Sequence, residues 1–265
     1  MPQTTPKKGC TTMDATLSTA QIGQFKVQGY LVLRTMVAPA TCERMLAVTA
    51  HHATEAIAPI EYEVDVGYPG APASPHAPGG RTIRRLRGAY ERHACFREWA
   101  SDPIMAARLK QLFNEDICLT LAHHNCIMTK HPDYGTATGW HRDIRYWSFK
   151  RPDLICTWLA LGHENGMNGG LKFIPGSHRM HIMPAQLDTL DFLRPDVVEN
   201  QALFGQGIQL ELQPGDVVLF HSGLFHAAGR NASNVIKTSV AFAYHAASNG
   251  PIPGTKSAIS RTVAI

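Results

Sequence analysis

The spacing of apolar residues changes once along this chain, near residue 117. Before that point apolar residues recur at helical spacing, and Gly, Pro and small polar residues mark the ends of the helical segments. This spacing predicts helices between Ser18 and Gly29, from Pro39 to about Ala58, and over 103–113. A short apolar run, YLVLRTMV, lies between the first two helices and predicts a strand.

After residue 117 the chain consists of short apolar runs separated by Gly, Pro, Asn and Asp. The candidate strands are ICLTLAHHNCIM, IRYWSF, LICTWLAL, GLKFIPG, GIQLEL, DVVLFH and KTSVAFAYHA. Many short strands with turn residues between them, preceded by helices, predict a β-sandwich or barrel with helical support. We therefore predict a mainly β fold with supporting helices, of which a jelly roll is the simplest form.

These elements predict a single folded domain. Residues 1–14 are polar and rich in Pro and Thr, and they are predicted to form a disordered tail. Residues 15–265 would form the domain, with a helical N-terminal part to about residue 115 and a jelly-roll core over about 117–248. The stretch 67–80, rich in Gly, Pro, Ala and Ser, is predicted as an irregular loop that either covers a site or lies on the surface.

Composition and charge argue against several classes of function. The 25 basic residues barely exceed the 21 acidic ones and are scattered except in RTIRRLRG, which predicts no nucleic-acid partner. The six cysteines form no CxxC pair, which favours a reducing compartment. The N-terminus lacks the apolar segment of a secretion signal, and no window of about 18 apolar residues exists, so we expect a cytoplasmic protein without a membrane partner.

The segment GWHRDIRYW carries the first candidate for chemistry. His141 and Asp143 lie two positions apart, so on a strand their side chains would point to the same side and could bind one metal ion together. A third ligand must come from elsewhere, and PGDVVLFHSGLFHAAGRN offers His221 at the end of a predicted strand and His226 after a turn. Two histidines and one carboxylate with open positions form the facial triad of non-haem Fe(II) oxygenases. In a chain with 14 histidines, however, an HxD pair arises readily by chance.

Several ordered motifs resemble those of the phytanoyl-CoA dioxygenase family of Fe(II)/2-oxoglutarate-dependent oxygenases. They are QIGQFKVQGYLVL, HNCIMTKHPD, WHRDIRYWSFKRPDLICTW, NGGLKFIPGSH and PGDVVLFHSGLFHAAGRN. Apart from the first, they cover most of residues 120–245, which makes the resemblance far more specific than one HxD pair. The family has a double-stranded β-helix fold of the jelly-roll (cupin-like) type, in agreement with the fold predicted from the strand pattern.

The resemblance implies roles for individual residues around the metal. His141 and Asp143 would be the first two ligands and His226 the third, which leaves His221 as a strand-end histidine. Trp158 aligns with an aromatic residue that lies against the cosubstrate in the family. Iron(II) and 2-oxoglutarate are the cofactor and cosubstrate that these positions imply.

At the predicted cosubstrate end, the sequence departs from the family twice. Lys237 stands where the family usually has an arginine that pairs with the far carboxylate of 2-oxoglutarate; lysine keeps the charge but loses the bidentate fork. Ala228 stands where the family often has a hydroxyl group that helps to hold the same carboxylate. Thr238 or Ser239 could compensate, depending on which of them faces inward.

Two further groups of residues are assigned less specifically. Arg85 falls about where the family has a basic residue near 2-oxoglutarate, although Arg84 or Arg87 could take that part, and a solvated charged surface is an equal alternative. His123 and His124 lie in an apolar strand, where a hydrogen-bonded core histidine is the commoner outcome.

We therefore predict a dioxygenase that hydroxylates an aliphatic carbon of a small-molecule or acyl-carrier-linked substrate, with dioxygen as the other reactant. A carboxylate at Asp143, instead of a small residue, favours hydroxylation over halogenation. One alternative is a non-catalytic jelly roll that binds metal and 2-oxoglutarate. A zinc hydrolase is a weaker alternative, because it needs a general base and the carboxylates nearest the motifs, Glu164 and Asp216, lie at predicted turns.

Overall fold

The computed structural model describes residues 14–265, so all but the last residue of the predicted tail lies outside the described residues. The helices are α1 (Thr19–Gln28), α2 (Pro39–Thr54), α3 (Ala89–Arg92), α4 (Ala94–Ala100), α5 (Pro103–Phe113), α6 (Val198–Phe204) and α7 (Lys256–Ile259). The strands are β1 (Tyr30–Leu33), β2 (Ile60–Tyr62), β3 (Ile83–Arg87), β4 (Ile117–Lys130), β5 (Thr138–His141), β6 (Leu154–Ala160), β7 (Leu171–Phe173), β8 (Ile208–Gln209), β9 (Val217–His221), β10 (His226–Ala228), β11 (Lys237–Ala246) and β12 (Thr262–Ala264). Short 3₁₀ turns lie at Glu63–Val66, Asp143–Tyr146, Ser177–Arg179 and Pro184–Gln186.

Local signals set the ends of the helices much as the sequence predicts. Ser18 accepts a hydrogen bond from the backbone N–H of Gln21 and so caps α1, and Gly29 ends it in the left-handed region at φ 79°. The second helix is shorter than predicted, because Ala56 adopts a left-handed conformation at φ 48° and the helix ends at Thr54 instead of about Ala58.

The strands form two antiparallel sheets. The larger has eight strands in the order β1-β9-β6-β11-β4-β3-β2, with β12 paired to one end of the long strand β4. The smaller has the order β5-β10-β7-β8. Helical residues such as Met45, Phe96 and Leu109 pack on the outer face of the larger sheet, and the smaller sheet faces its inner side.

Strand β9 shows how the period of two divides the core. Val217 and Leu219 pack with the helices, whereas Val218 and Phe220 point toward the smaller sheet. The same division holds in β11, whose ten residues are all buried. These facing sheets confirm the predicted mainly β fold with supporting helices, of jelly-roll type. Among the described residues, no helix is long and apolar enough to cross a membrane.

The predicted strand IRYWSF is wrong. Residues Asp143–Tyr146 form a 3₁₀ turn, and the N–H of Ile144 donates to the carbonyl oxygen of Ser222 at 2.9 Å instead of joining a ladder. Trp147 and Phe149 of this segment are still buried, whereas Ile144 and Tyr146 are half-buried. The indole N–H of Trp147 donates to the carbonyl oxygen of Ala122 in β4 of the larger sheet at 3.0 Å.

Candidate metal centre

The smaller sheet and the turn that follows β5 bring the three predicted ligands together. His141 is the last residue of β5, His226 is the first of β10, and the two are direct partners across the antiparallel pair. Asp143 follows in the 3₁₀ turn, so the expectation that His141 and Asp143 share one strand face is wrong: β5 has ended before the aspartate. One donor atom from each residue lies within 4.8 Å of the others, and all three residues are buried.

Both imidazoles are oriented by backbone carbonyl groups. The Nδ1 atom of His141 lies 2.9 Å from the carbonyl oxygen of Gly139, and that of His226 lies 3.1 Å from the carbonyl oxygen of Leu224. A carbonyl accepts only, so each Nδ1 carries the hydrogen and each Nε2 keeps a free lone pair. These Nε2 atoms lie 3.5 Å and 3.4 Å from Oδ1 of Asp143.

The carboxylate of Asp143 has two unlike oxygens. Oδ2 lies 3.5 Å from Nε2 of His124 and 3.6 Å from Sγ of Cys156. Oδ1 is buried and has no hydrogen-bond partner among residues 14–265, although it faces the two Nε2 atoms. A buried carboxylate oxygen without a partner is costly, and a divalent cation between it and the two lone pairs would satisfy all three donors.

The protonation states suit a metal ligand set. Burial lowers the pKa of His141 to about 3 and that of His124 to about 4, so both rings are neutral at neutral pH. Burial favours the neutral form of Asp143, but the interactions of its carboxylate with the imidazoles of His124, His226 and His141 outweigh burial and hold the pKa of this carboxyl well below its usual range. Neutral imidazoles and an ionised carboxylate are the forms that bind a metal.

The structure separates the two candidates for the third ligand. His221 ends β9 with its Nε2 atom 3.4 Å from Oδ1 of Asp153, and its Nδ1 atom accepts from the N–H of Gly223 at 2.9 Å. It is therefore engaged in a different pair from His226, which joins His141 and Asp143.

His124 is a neighbour of the centre that sequence reasoning missed. Across β4 and β11, Phe242 pairs with Asn125 and Ala243 with Thr120, so residues 121–124 bulge out of the ladder. The bulge turns His124 toward Asp143 and packs its ring 5.0 Å from that of Trp147. The doubled histidine was the only signal in the sequence, and it does not reveal the bulge.

A cavity of about 50 Å³ lies beside the three residues. Its wall includes two predicted cosubstrate residues, Arg85 and Trp158, together with Arg84, Met128 and Ala228. Arg87 is exposed and does not line it. The Nε atom of Arg85 is 3.2 Å from a carboxylate oxygen of Glu61, so this arginine is already paired.

Lys237 lies behind the cavity wall and not on it. Its Nζ atom is 4.8 Å from the ring centroid of Trp158, 3.4 Å from Oε2 of Glu164 and 3.3 Å from Oγ of Ser239. Ser239 and not Thr238 therefore shares the environment of Lys237, as expected for residues two apart on a strand.

Comparisons with known proteins identify the family of this chain. A family model described as phytanoyl-CoA dioxygenase matches residues 25–239. The chain belongs to the phytanoyl-CoA dioxygenase family. This confirms the family that the ordered motifs predicted, and with it the enzyme class, an Fe(II)- and 2-oxoglutarate-dependent dioxygenase.

Individual members and structural neighbours are distant. The peroxisomal phytanoyl-CoA dioxygenase of Homo sapiens is 26% identical over 247 residues, which cover 86% of this chain and 69% of that protein. The crystal structure of EctD from S. alaskensis with 2-oxoglutarate and 5-hydroxyectoine has a TM-score of 0.74 at 20% identity and covers 91% of this chain and 80% of the other. The non-heme alpha ketoglutarate dependent epimerase SnoN has a TM-score of 0.68 at 19% identity, with coverages of 89% and 84%. At such identities the structural likeness shows the fold alone.

Lys130 is a second buried lysine near the centre of this family member. Its Nζ atom donates to the carbonyl oxygens of Gly229 at 2.6 Å and Thr136 at 3.3 Å. Burial, reinforced by the charges of Lys237 and Arg84, lowers the pKa of Lys130 to about 7. The amine is therefore partly neutral at neutral pH.

Lys130 is expected to make stability rise with pH. Above its folded pKa of about 7 the folded protein has lost this proton, whereas the unfolded chain keeps it until the pH approaches the ordinary value of 10.5. The free energy of unfolding rises with pH wherever the unfolded state binds more protons. Relative to Lys130→Met, the wild type should gain up to about 1.4 kcal/mol per pH unit between about pH 7.5 and pH 9 in urea unfolding. Parallel curves for the two proteins would mean that Lys130 has an ordinary pKa.

Proposed function

We propose that this protein hydroxylates an aliphatic carbon of a small polar molecule, with His141, Asp143 and His226 as the iron ligands. The observation that carries this assignment is the buried Oδ1 atom of Asp143, which has no hydrogen-bond partner among the described residues and faces two imidazole lone pairs. Fe(II) together with 2-oxoglutarate supplies the activation of dioxygen, coupled to the conversion of 2-oxoglutarate to succinate and carbon dioxide.

The protein's own groups prepare the ligand set. The carbonyl oxygens of Gly139 and Leu224 fix the tautomer and orientation of the two imidazoles. On the outer side of Asp143, His124 and Cys156 lie against Oδ2, which leaves Oδ1 directed at the metal position. A ligand set held in this way leaves coordination positions open for cosubstrate and dioxygen.

A cavity of about 340 Å³ next to the centre is the proposed substrate site. Its lining carries both signs of charge, from Asp65, Asp191 and Arg145, and it includes the paired hydroxyls of Tyr68 and Tyr146, 3.1 Å apart. This lining favours a small substrate, or the small end of a carrier-linked one, with polar groups of its own.

For the cosubstrate we propose Trp158 as a wall of the cavity, Arg85 as a positive charge on that wall and Lys237 as a positive charge behind Trp158. The expected test is anaerobic titration of the Fe(II)-loaded protein with 2-oxoglutarate, which should produce a weak visible charge-transfer band. Succinate should then form in air in amounts that match the 2-oxoglutarate consumed.

Lys237→Ala should raise the 2-oxoglutarate concentration needed for half of this band by more than about tenfold, because Glu164 is then left as an unpaired buried charge. Lys237→Arg, which keeps the charge, is the matched control and should have a smaller effect. A charge-transfer band without succinate formation would favour the non-catalytic binding module. If neither Lys237→Ala nor Lys237→Arg changes the 2-oxoglutarate concentration at half of the band, Lys237 is not part of the cosubstrate site.

A further inference from the structure

Glu164 lies at the centre of a buried polar cluster behind Trp158, which lines the cavity of about 50 Å³ beside the three proposed metal ligands. Its side chain is 0% exposed. It receives the indole N–H of Trp158 at 3.0 Å and 3.1 Å and the hydroxyl of Ser239 at 2.5 Å, and it pairs with Nζ of Lys237 at 3.4 Å. All of these neighbours are donors, which is the environment of an ionised carboxylate.

The backbone fixes Glu164 in this place. The residue follows β6, and its N–H and carbonyl group exchange two 2.9 Å hydrogen bonds with Leu212 in an isolated antiparallel bridge. The side chain of Glu164 thus reaches Lys237 from a backbone segment that is held by this bridge, so the pair does not involve a surface side chain. Separating a buried ion pair of this kind is energetically costly, because it would leave two unpaired buried charges.

The cations around the cavity are matched by internal carboxylates. The pairs are Arg84 with Glu63 at 2.9 Å, Arg85 with Glu61 at 3.2 Å and Lys237 with Glu164 at 3.4 Å. A further buried cation, Lys130, has its amine bound to backbone carbonyl oxygens, and burial lowers its pKa to about 7. The cavity therefore offers little uncompensated positive charge to the far carboxylate of a dicarboxylic 2-oxo acid.

We propose that Glu164 is a specificity-determining residue for the cosubstrate, which by neutralising Lys237 lets the centre accept 2-oxo acids that lack a second carboxylate. This rests on the proposed function, because it assumes that a 2-oxo acid chelates iron at the centre. Chelation needs only the 2-oxo and adjacent carboxylate groups, which all 2-oxo acids share. Discrimination between them depends on the charge at the far end, and Glu164 reduces that charge.

The test compares two cosubstrates of equal chain length in the same protein. 2-Oxoglutarate and 2-oxovalerate differ by a carboxylate against a methyl group, and both can be titrated anaerobically into Fe(II)-loaded protein by the charge-transfer band. In the wild type the Kd for 2-oxovalerate should exceed that for 2-oxoglutarate by less than about tenfold. In Glu164→Gln this ratio of Kd values should rise by at least about tenfold, because 2-oxoglutarate binds more tightly while the Kd for 2-oxovalerate stays the same. Gln keeps an acceptor for the indole N–H of Trp158 but no longer neutralises the charge of Lys237.

Asp216→Asn is the matched control, because it also removes one buried carboxylate but at a pair with Arg34 away from the cavity. Its ratio should equal that of the wild type. A wild-type ratio above about tenfold, or a ratio unchanged by Glu164→Gln, overturns the inference while leaving the proposed function intact. If Glu164→Gln does not fold, the wild-type ratio alone decides. Absence of the band with every 2-oxo acid in the wild type contradicts the proposed function itself, and the inference with it.

Discussion

Replacement of His226 by alanine is expected to weaken divalent metal binding by more than about 100-fold and to abolish the 2-oxoglutarate-dependent absorption band. Loss of an outer partner of a metal ligand already costs about 10- to 100-fold in affinity, so loss of a ligand should cost more. In the folded protein the Nε2 atom of His226 lies 3.4 Å from Oδ1 of Asp143 and carries one of the two imidazole lone pairs that face this oxygen. Anaerobic titration of the metal-free protein with Fe(II) or Co(II) measures the effect directly.

His221→Ala provides the control from the same segment of chain. His221 lies five positions earlier and is paired with Asp153, so its removal should change metal affinity by less than about twofold. The reverse order, with His221→Ala losing the metal and His226→Ala retaining it, would move the third ligand to the end of β9. Equal and partial losses in both variants would indicate a general loss of structure, which a thermal melt of each variant distinguishes.

Features that depend on local pattern are the ones that the sequence predicts well. In the segment KTSVAFAYHA the large residues Val, Phe and Tyr alternate with Ala, and neither Gly nor Pro occurs. The segment forms β11 with the predicted bounds, Lys237–Ala246. Similarly, Asp102 before Pro103 predicts the start of α5, where the side chain of Asp102 accepts from the N–H of Met105 at 2.8 Å. Short-range hydrogen bonds and side-chain alternation decide such elements, and neither requires knowledge of the rest of the chain.

The parts of the site that depend on distant partners were not predictable in the same way. Asp143 leaves its strand because the following turn hydrogen-bonds to Ser222, and nothing in GWHRDIRYW shows that contact. The sequence predicts Glu164 only as a carboxylate at a turn, whereas its partner Lys237 lies 73 residues further along the chain. His124 reaches the centre through a bulge whose register is set by β11. In each case a long-range pairing, and not the local pattern, determines the position.

The largest expected effect on stability is that of Arg84→Met. Its guanidinium lies 2.9 Å from a carboxylate oxygen of Glu63 and donates to the hydroxyl of Thr138 at 2.8 Å, and the ion pair is almost fully buried, with side-chain exposures of 4% and 0%. Removing one partner of such a pair leaves an uncompensated buried charge and costs about 3–5 kcal/mol. Urea unfolding of the metal-free protein should show this loss in the free energy of unfolding.

The same substitution at a surface pair isolates the effect of burial. Arg44 lies 2.7 Å from Glu98, but these side chains are 53% and 62% exposed, so Arg44→Met should cost less than about 1 kcal/mol. The double variant Arg84→Met with Glu63→Gln should recover most of the loss, because no buried charge is then left unpaired. Two outcomes would show that the loss of stability does not come from the unpaired carboxylate of Glu63: equal costs for Arg44→Met and Arg84→Met, or a double variant no more stable than Arg84→Met. The hydrogen bond that joins Arg84 in β3 to Thr138 in β5 would then be the better explanation.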